Sequence, residues 1–474
     1  MAENPLAPAW LTRPADANAM PTRVWPRTTR RDAGGVATIG GVAVTDLAGR
    51  FGTPLYVVDE ADFRARAAET YSAFADAFAG VGTNAQVYYA GKAFLSAEIA
   101  RWVIEAGLNI DVCSGGELAV ALAAGIEPGR LGFHGNNKSL SEIDRAVEVG
   151  VGTIVIDSAQ EVERVADAAS RHSRVQRVRL RVVTGVHAHT HEFLATAHED
   201  QKFGVPLADA ERIVADIRSH ESLSFVGLHA HIGSQIFGAD AFASSAARLV
   251  AVHARLLEHG DVPELNLGGG FGIAYTAADD PTPVAELAER IAEVVSAEFE
   301  NVGAPLPTVA FEPGRLIAGP AGITLYTVGT TKPVEVTVPR SAGETSTRLY
   351  VSIDGGMSDN TRTALYGADY TARIVGRVST AEPALVRVAG KHCESGDIVV
   401  DAEYLPSDIA PGDLLAVAAT GAYCWSLSSN YNYLPRPAVV AVRDGVARVI
   451  VRGETEADLL AHDAAITPAQ EHTA

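Results

Sequence analysis

Lysine is scarce in this 474-residue chain, so the position of each lysine is informative. The chain has five lysines against 33 arginines. Lys92 ends an apolar and aromatic run, Tyr88-Tyr89-Ala90-Gly91-Lys92. An amine that is partly desolvated there would favour its neutral form and could attack a carbonyl carbon. The alternative is a surface lysine whose aliphatic stem lies along apolar neighbours.

A glycine run suggests the second half of the same chemistry. Gly268, Gly269 and Gly270 follow a short apolar run and are followed by Phe271 and Gly272. Without side chains, their backbone N–H groups can surround an anion such as phosphate, although a glycine run alone is most often a turn. The lysine would react with a carbonyl group and the glycines would bind a phosphate. Pyridoxal 5′-phosphate (PLP) has both groups, so the two features together indicate PLP as a cofactor.

Alternating strand and helix patterns must position these residues. Eight short β-rich runs are predicted at Gln86–Ala90, Asn109–Cys113, Leu131–His134, Thr153–Asp157, Val178–Val183, Phe225–Ile232, Glu264–Leu267 and Val309–Glu312. Helical patterns lie between them, and Asp59–Phe78 supplies another helix before the first strand. The count and length predict an α/β fold, a parallel (β/α)₈ TIM barrel.

The polar residues near the predicted strand ends are the candidates for chemistry, because barrel active sites lie at the C-terminal ends of the strands. They are Lys92, Asp111, His134, Asn136, Asp157, His231, Ser234, Gly268–Gly270, Glu312 and Arg315. Taken singly, His231 is also consistent with a structural histidine, and Glu312 with Arg315 is consistent with a salt-bridged turn. Their recurrence on several strands favours a site.

After about residue 320 the pattern changes to strands separated by turns. Runs such as Ile323–Val328, Leu414–Ala418 and Ala438–Val442 predict a second, mainly β domain. We expect four regions: an extended N-terminal arm over 1–35, strands over 36–58 that pack with the β domain, the barrel over 59–320, and the β domain over 321–474.

The amino-acid composition indicates which binding partners and which cellular compartment to expect for the chain. The formal net charge is −20, so phosphate backbones and anionic lipids would be repelled, and neither nucleic acid nor a membrane is an expected partner. The three cysteines, Cys113, Cys393 and Cys424, do not form a disulfide framework, which favours the cytoplasm. The alternating His187, His189 and His191 resemble a metal-binding strand, but they precede a loop-like stretch, and we assign no metal.

Six segments, taken together, carry a resemblance to a known family. They are Tyr88-Tyr89-Ala90-Gly91-Lys92-Ala93, His231-Ile232-Gly233-Ser234-Gln235, Leu267-Gly268-Gly269-Gly270-Phe271-Gly272, Glu312-Pro313-Gly314-Arg315, Cys393-Glu394-Ser395-Gly396-Asp397 and Gly421-Ala422-Tyr423. From about Phe51 to Glu454 the chain resembles the alanine-racemase-fold PLP-dependent decarboxylases, specifically the diaminopimelate decarboxylase family. Phe94 departs from the asparagine found in many members.

The resemblance implies roles for the cofactor-binding residues. Lys92 would form a Schiff base with PLP, and His231 would stack on its ring. Glu312 would face the pyridine nitrogen and keep it protonated, which strengthens the ring as an electron sink. Asp111 would also bind the cofactor. The residues that bind its phosphate would be Ser234, Gly268, Gly269, Gly270 and Tyr423.

The resemblance also implies a substrate and an assembly. A distal carboxylate suits the guanidinium groups of Arg315 and Arg362 with the phenol of Tyr366, and Glu394 could accept a distal ammonium group. Cys393, a thiol that is ordinarily protonated at neutral pH, could reprotonate the substrate carbon. Cys393 and Glu394 are expected to enter the active site of a neighbouring subunit, which implies a homodimer.

The expected reaction is the PLP-dependent decarboxylation of meso-2,6-diaminopimelate to L-lysine and CO₂, the last step of lysine biosynthesis. Two alternatives stay open at this point. One is a decarboxylase of ornithine, arginine or a carboxylated polyamine. The other is a PLP carrier without turnover, against which the roughly 150-residue β domain argues.

Overall fold

The computed structural model describes residues 4–186 and 201–466, which form two compact units. One unit, here the β unit, contains the described parts of Met1–Phe63, Ala274–Asp279 and Ala318–Ala474. The other, here the barrel unit, contains those of Arg64–Ile273 and Asp280–Ile317. His187, His189 and His191 lie outside the described residues.

The chain begins in the β unit. Strands β1 (Arg30–Arg31), β2 (Ala37–Ile39) and β3 (Val42–Ala43) form a small antiparallel sheet. Helix α1 (Val44–Phe51), strand β4 (Leu55–Asp59) and helix α2 (Glu60–Gly80) follow. Val24 and Trp25, within the stretch expected as an extended arm, are completely buried in a core that also contains Ile39 and Val57. These residues are therefore packed into the β unit.

Eight parallel strands close the barrel, as the sequence predicted. They are β5 (Ala85–Ala90), β6 (Asn109–Val112), β7 (Leu131–Phe133), β8 (Thr153–Ile156), β9 (Gln176–Val183), β11 (Leu223–His229), β12 (Glu264–Asn266) and β13 (Thr308–Phe311), with a short β10 (Val205–Pro206) beside β9. Strand β8 pairs with β9, and β13 pairs with β5, which completes the ring.

Helices follow most strands, and serines begin several of them. They are α3 (Ala97–Glu105), α4 (Gly115–Ala123), α5 (Leu140–Val149), α6 (Ala159–Arg171), α7 (Ala210–Ser219), α8 (Asp240–Leu257), α9 (Val284–Val302) and the short α10 (Arg315–Ala318). The side chains of Ser96, Ser114 and Ser139 each accept a hydrogen bond from a first-turn N–H group, which otherwise lacks a partner within the helix.

The interior of the barrel holds an ion pair, and apolar side chains are buried elsewhere in the same unit. Arg179 is completely buried, and its Nε and Nη2 atoms donate to Glu264 Oε2 at 3.1 and 2.8 Å. Nη2 also donates to the Tyr88 hydroxyl at 3.2 Å. Ile110, Leu180 and other aliphatic residues are fully buried in the same unit. The charge of Arg179 is thus balanced where water is excluded.

The rest of the β unit is built mainly on strands, with short helices among its described residues. After β13 the elements are β14 (Gly322–Thr337), β15 (Thr345–Ile353), α11 (Arg362–Tyr366), β16 (Ala372–Ile374), β17 (Pro383–Ala389), β18 (Ile398–Pro406), β19 (Leu414–Ala418), β20 (Val439–Arg443), β21 (Val446–Val451) and α12 (Glu456–Leu460). The main sheet has the order β18-β17-β15-β14-β4-β20-β21, and β19 pairs with β14 and β16. Its strand β4 comes from the N-terminal region.

Among the described residues, no helix has the length and apolar character needed to cross a bilayer.

Candidate active site

Glu312 lies immediately after β13 and is surrounded by hydrogen-bond donors from neighbouring strands. Asn266 Nδ2 donates to Glu312 Oε1 at 2.7 Å, and His229 Nε2 lies 3.1 Å from Oε2. His134 Nε2 is 3.4 Å from Oε1. Burial opposes ionisation, but the two imidazoles and the hydrogen bond from His229 hold the pKa of Glu312 well below its ordinary value. Glu312 is therefore an anion in a buried site.

Asp111, at the C-terminal part of β6, is a second buried carboxyl group near Glu312. Its Oδ1 atom is 3.1 Å from His134 Nε2, yet neither oxygen has a hydrogen bond of good geometry to another described residue. Burial, followed by the charge of Glu312, raises the pKa of Asp111 well above its usual value. Burial also lowers the pKa of His134 to about 4. At neutral pH Glu312 is thus ionised and His134 is neutral, while burial favours the neutral form of Asp111.

Lys92 lies in the 3₁₀ turn Gly91–Ala93 that follows β5. Gly91, Ala93 and Phe94 are buried, whereas Lys92 is exposed, so the expectation that Lys92 is desolvated by its sequence neighbours was wrong. The charge of Lys92 is one cause, after burial, of the low pKa of His231, which indicates that the two side chains are near each other.

The glycine run forms a tight loop after β12 that contacts His231. Gly269 N–H donates to His231 Nδ1 at 3.2 Å, which leaves the proton of the neutral imidazole on Nε2. A Cβ atom on Gly269 would lie 2.1 Å from the Glu312 carbonyl oxygen, and one on Gly270 would lie 2.3 Å from that of Gly233. Side chains at these positions would therefore prevent the close backbone approach.

Ser234 and Arg315 meet in the barrel unit. Arg315 Nη2 donates to Ser234 Oγ at 2.7 Å, and Arg315 is buried while Ser234 is half-buried. The structure therefore groups Lys92, Asp111, His231, Ser234, the glycine run, Glu312 and Arg315 within the barrel unit, at the strand ends or in the turns and loops that follow them.

The other predicted site residues belong to the β unit. Cys393 and Glu394 are exposed, and Cys393 N–H donates to Asn432 Oδ1 at 3.0 Å. Hydrogen bonds, first from Gly396 N–H and then from Ser395, lower the pKa of Glu394. The loop thus presents a thiol and an ionised carboxylate to solvent.

Arg362, at the start of α11, is deeply buried among aromatic side chains. Its guanidinium carbon lies 4.9 Å from the ring centre of Tyr275, and Nη1 donates to the Tyr370 hydroxyl. Tyr366 is half-buried, and Tyr423 is half-buried with a positive φ of 62°. Arg362 is therefore a fixed, preoriented cation within the β unit.

Two residues around Glu312, Asn266 and His229, were not among the predicted site residues. Each is the last residue of its strand, β12 or β11. The apolar pattern of the sequence predicts that these strands end at Leu267 and Ile232, one and three residues further on. With the correct strand boundaries, the expectation that functional residues lie at the C-terminal ends of barrel strands would have identified both residues.

A family model described as "Pyridoxal-dependent decarboxylase, pyridoxal binding domain" matches residues 64–319. The buried anionic carboxylate, the nearby lysine and the glycine loop at the ends of barrel strands agree with this class of enzyme. The chain is a PLP-dependent decarboxylase by family. More particularly, it belongs to the diaminopimelate decarboxylase family, because relatives of that name match nearly its whole length.

Two relatives and two solved structures illustrate the similarity. Diaminopimelate decarboxylase from Mycobacterium tuberculosis is 54% identical over 445 residues, 92% of this chain and 97% of that protein. The Bacillus subtilis enzyme is 43% identical over 443 residues, 92% of this chain and 97% of that protein. The enzyme from M. jannaschii in complex with L-lysine is 30% identical with a TM-score of 0.84, covering 92% of this chain and 98% of that chain. A lysine/ornithine decarboxylase from Vibrio vulnificus, 20% identical with a TM-score of 0.68 over 85% of this chain and 97% of that chain, shows the fold alone.

Proposed function

We propose that this chain decarboxylates meso-2,6-diaminopimelate to L-lysine and CO₂ with PLP as its cofactor. Relatives named diaminopimelate decarboxylase match more than nine-tenths of the chain. The structural observation that carries the proposal is Glu312, a buried carboxylate kept ionised by its neighbours at the ends of the barrel strands. A negatively charged carboxylate at this position would stabilise a protonated pyridine nitrogen.

The residues present fit PLP. Buried polar atoms that lack a hydrogen bond of good geometry to the described residues gather near Glu312: both Asp111 carboxyl oxygens, His134 Nε2 and His229 Nδ1. Such atoms favour a polar ligand, since leaving them unsatisfied is costly. Lys92 would hold the aldehyde and Glu312 the ring nitrogen, while Ser234, Gly268–Gly270 and Tyr423 would hold the phosphate.

Each residue then has a definite task in the reaction. Bound PLP supplies an electron sink for the pair that remains at Cα when the bond to the carboxylate breaks and CO₂ leaves. Glu312 would keep a proton on the ring nitrogen. His231, whose Nδ1 accepts a hydrogen bond from Gly269 N–H, would pack against the ring. Cys393 then gives a proton to Cα, which completes the Cα–H bond of lysine.

Substrate recognition depends on the far end of the molecule. meso-Diaminopimelate has a second carboxylate and a second ammonium group, whereas ornithine and arginine lack the distal carboxylate. Arg315, Arg362 and Tyr366 would bind the carboxylate, and Glu394 the ammonium group. Arg362 supports this role because its aromatic neighbours hold the guanidinium in one place.

We further propose that the chain acts as a homodimer in which Cys393 and Glu394 complete the partner's site. The Cys393 loop contacts Asn432, which lies between two exposed aromatic residues. Tyr431 is 42% exposed and Tyr433 is 71% exposed. Exposed aromatic side chains next to functional groups are typical of protein interfaces.

The test measures CO₂ and L-lysine from meso-diaminopimelate with and without added PLP. We expect equal amounts of both products, dependence on PLP, and little turnover of ornithine or arginine. Lys92→Ala should abolish turnover, while Lys332→Ala, a change at an exposed lysine on β14, serves as the matched control. Turnover of ornithine in place of meso-diaminopimelate would refute the proposed substrate.

A further inference from the structure

Asn266 joins two parts of the proposed cofactor site through one side-chain amide. Its Nδ2 donates to Glu312 Oε1 at 2.7 Å, and its Oδ1 accepts from Gly268 N–H at 2.8 Å. The side chain is completely buried. A single amide therefore contacts both the carboxylate assigned to the ring nitrogen and the first N–H group of the glycine run.

The orientation of this amide is determined by its partners. Rotation by 180° would place Oδ1 against the Glu312 carboxylate and Nδ2 against the Gly268 N–H group. Two acceptors would then face each other, as would two donors. Asn266 can satisfy both neighbours in one orientation only.

Asn266 also differs in kind from the two histidines around Glu312. A neutral imidazole has one proton, and its position depends on the tautomer. His134 Nε2 is close to Asp111 Oδ1 as well as to Glu312 Oε1, at 3.1 and 3.4 Å. The amide of Asn266 donates at every pH at which the protein is folded, and its contact with Glu312 is the shortest of the three.

We propose that Asn266 is a positioning residue that keeps Glu312 ionised and correctly placed for the ring nitrogen of the cofactor. It does so while it holds the glycine loop through Gly268. The inference rests on the proposed function in one respect, the assignment of Glu312 to the ring nitrogen.

Asn266→Asp is the most informative substitution because it nearly preserves the size of the side chain. One oxygen of the new carboxylate could still accept from Gly268 N–H. The other would face Glu312 without a proton to donate, and the two negative charges would repel each other. Ionised Glu312 would be disfavoured, and so would the protonated ring nitrogen.

The experiment uses holoenzyme reconstituted with PLP labelled with ¹⁵N in its ring. The NMR shift of that nitrogen reports whether it carries a proton, and kcat and KM are measured on the same samples. We expect a protonated nitrogen in the wild type and loss of that signal in Asn266→Asp. The kcat should fall about tenfold to a hundredfold with little change in KM, as for a lost hydrogen bond to a buried charge.

A matched control and a double variant separate positioning from a general structural effect. Asn84→Asp makes the same change at an exposed residue just before β5, at the opposite end of the barrel, and should behave as the wild type. In a Glu312→Gln background, Asn266→Asp should cause no further loss, because the group on which it acts has been neutralised. This comparison remains possible if Asn266→Asp alone does not fold.

The outcomes distinguish this inference from the proposed function. A protonated nitrogen and unchanged kcat in Asn266→Asp would refute the role of Asn266, even if meso-diaminopimelate is the substrate. Multiplicative losses in the double variant would refute it too. If meso-diaminopimelate is not turned over but the nitrogen signal still responds to Asn266→Asp and Glu312→Gln, the positioning role stands and the substrate assignment fails.

Discussion

The ion pair in the interior of the barrel predicts a large and non-additive effect on stability. Arg179 is completely buried and gives two hydrogen bonds to Glu264, which is 4% exposed. Glu264→Leu would leave the guanidinium in the barrel with Tyr88 as its nearest remaining hydrogen-bond partner. Breaking one side of a buried pair costs about 3–5 kcal/mol, since the remaining charge is uncompensated.

The double variant Arg179→Met with Glu264→Leu should be far less damaged. Replacing both members of a buried pair with apolar groups is often neutral, so we expect it to cost less than about 2 kcal/mol. Glu211→Leu is the control, because Glu211 pairs with Arg255 at 2.6 Å on the surface, where both side chains are about half exposed. Losing such a pair costs at most about 1 kcal/mol.

Thermal unfolding followed by circular dichroism at pH 7 measures these differences. At about 2–4 °C per kcal/mol for a unit of 150–250 residues, Glu264→Leu should lower Tm by about 6–20 °C. A shift within about 2 °C of the wild type would refute the reasoning. So would a double variant as unstable as Glu264→Leu, because the damage would then not come from an uncompensated charge.

Three further predictions concern the site and acid stability. Glu312→Gln should retain PLP, measured by absorbance, but lose most of its turnover, because an amide does not hold a proton on the ring nitrogen. Mixing inactive Lys92→Ala and Cys393→Ala subunits should restore about a quarter of wild-type activity if subunits exchange at random and each active site contains residues of both subunits. If the subunits exchange but no activity returns, the active site is not shared between subunits. Burial lowers the pKa of His253 to about 4 from 6.5, so the unfolded chain gains a proton first as pH falls. His253→Leu should therefore reduce the loss of stability between pH 7 and 5 by about 2 kcal/mol in denaturant unfolding, whereas His259→Leu, at an exposed histidine, should not.

The barrel was predictable because its strands are short apolar runs at regular spacing, and all eight lie within a few residues of their predicted positions. Local pattern did not reveal α1 and α11, since these helices are short and one contains the buried Arg362. It also did not show that Trp25 is buried. That tryptophan lies in a proline-rich stretch whose burial depends on contacts with strands distant in sequence.

The candidate site was predictable to the extent that its residues stand at strand ends. Asn266 and His229 were missed because apolar residues continue past the true ends of β12 and β11, and hydrophobicity cannot show where hydrogen bonding between strands stops. The network of hydrogen-bond donors around Glu312 was also not predictable from the sequence. Its members come from separate strands, and their distances depend on closure of the barrel.

The central position of β4 has a consequence for biosynthesis. This strand, fully buried, pairs with β14 on one side and β20 on the other, although about 260 residues separate it from β14 and a further hundred lead to β20. An emerging chain therefore exposes β4 before its neighbours have been translated, while the intervening barrel can already condense. A polypeptide that starts after β4 would lack a middle strand of its sheet. Supplying residues 1–63 as a separate peptide should rescue it, in the manner of split-protein complementation.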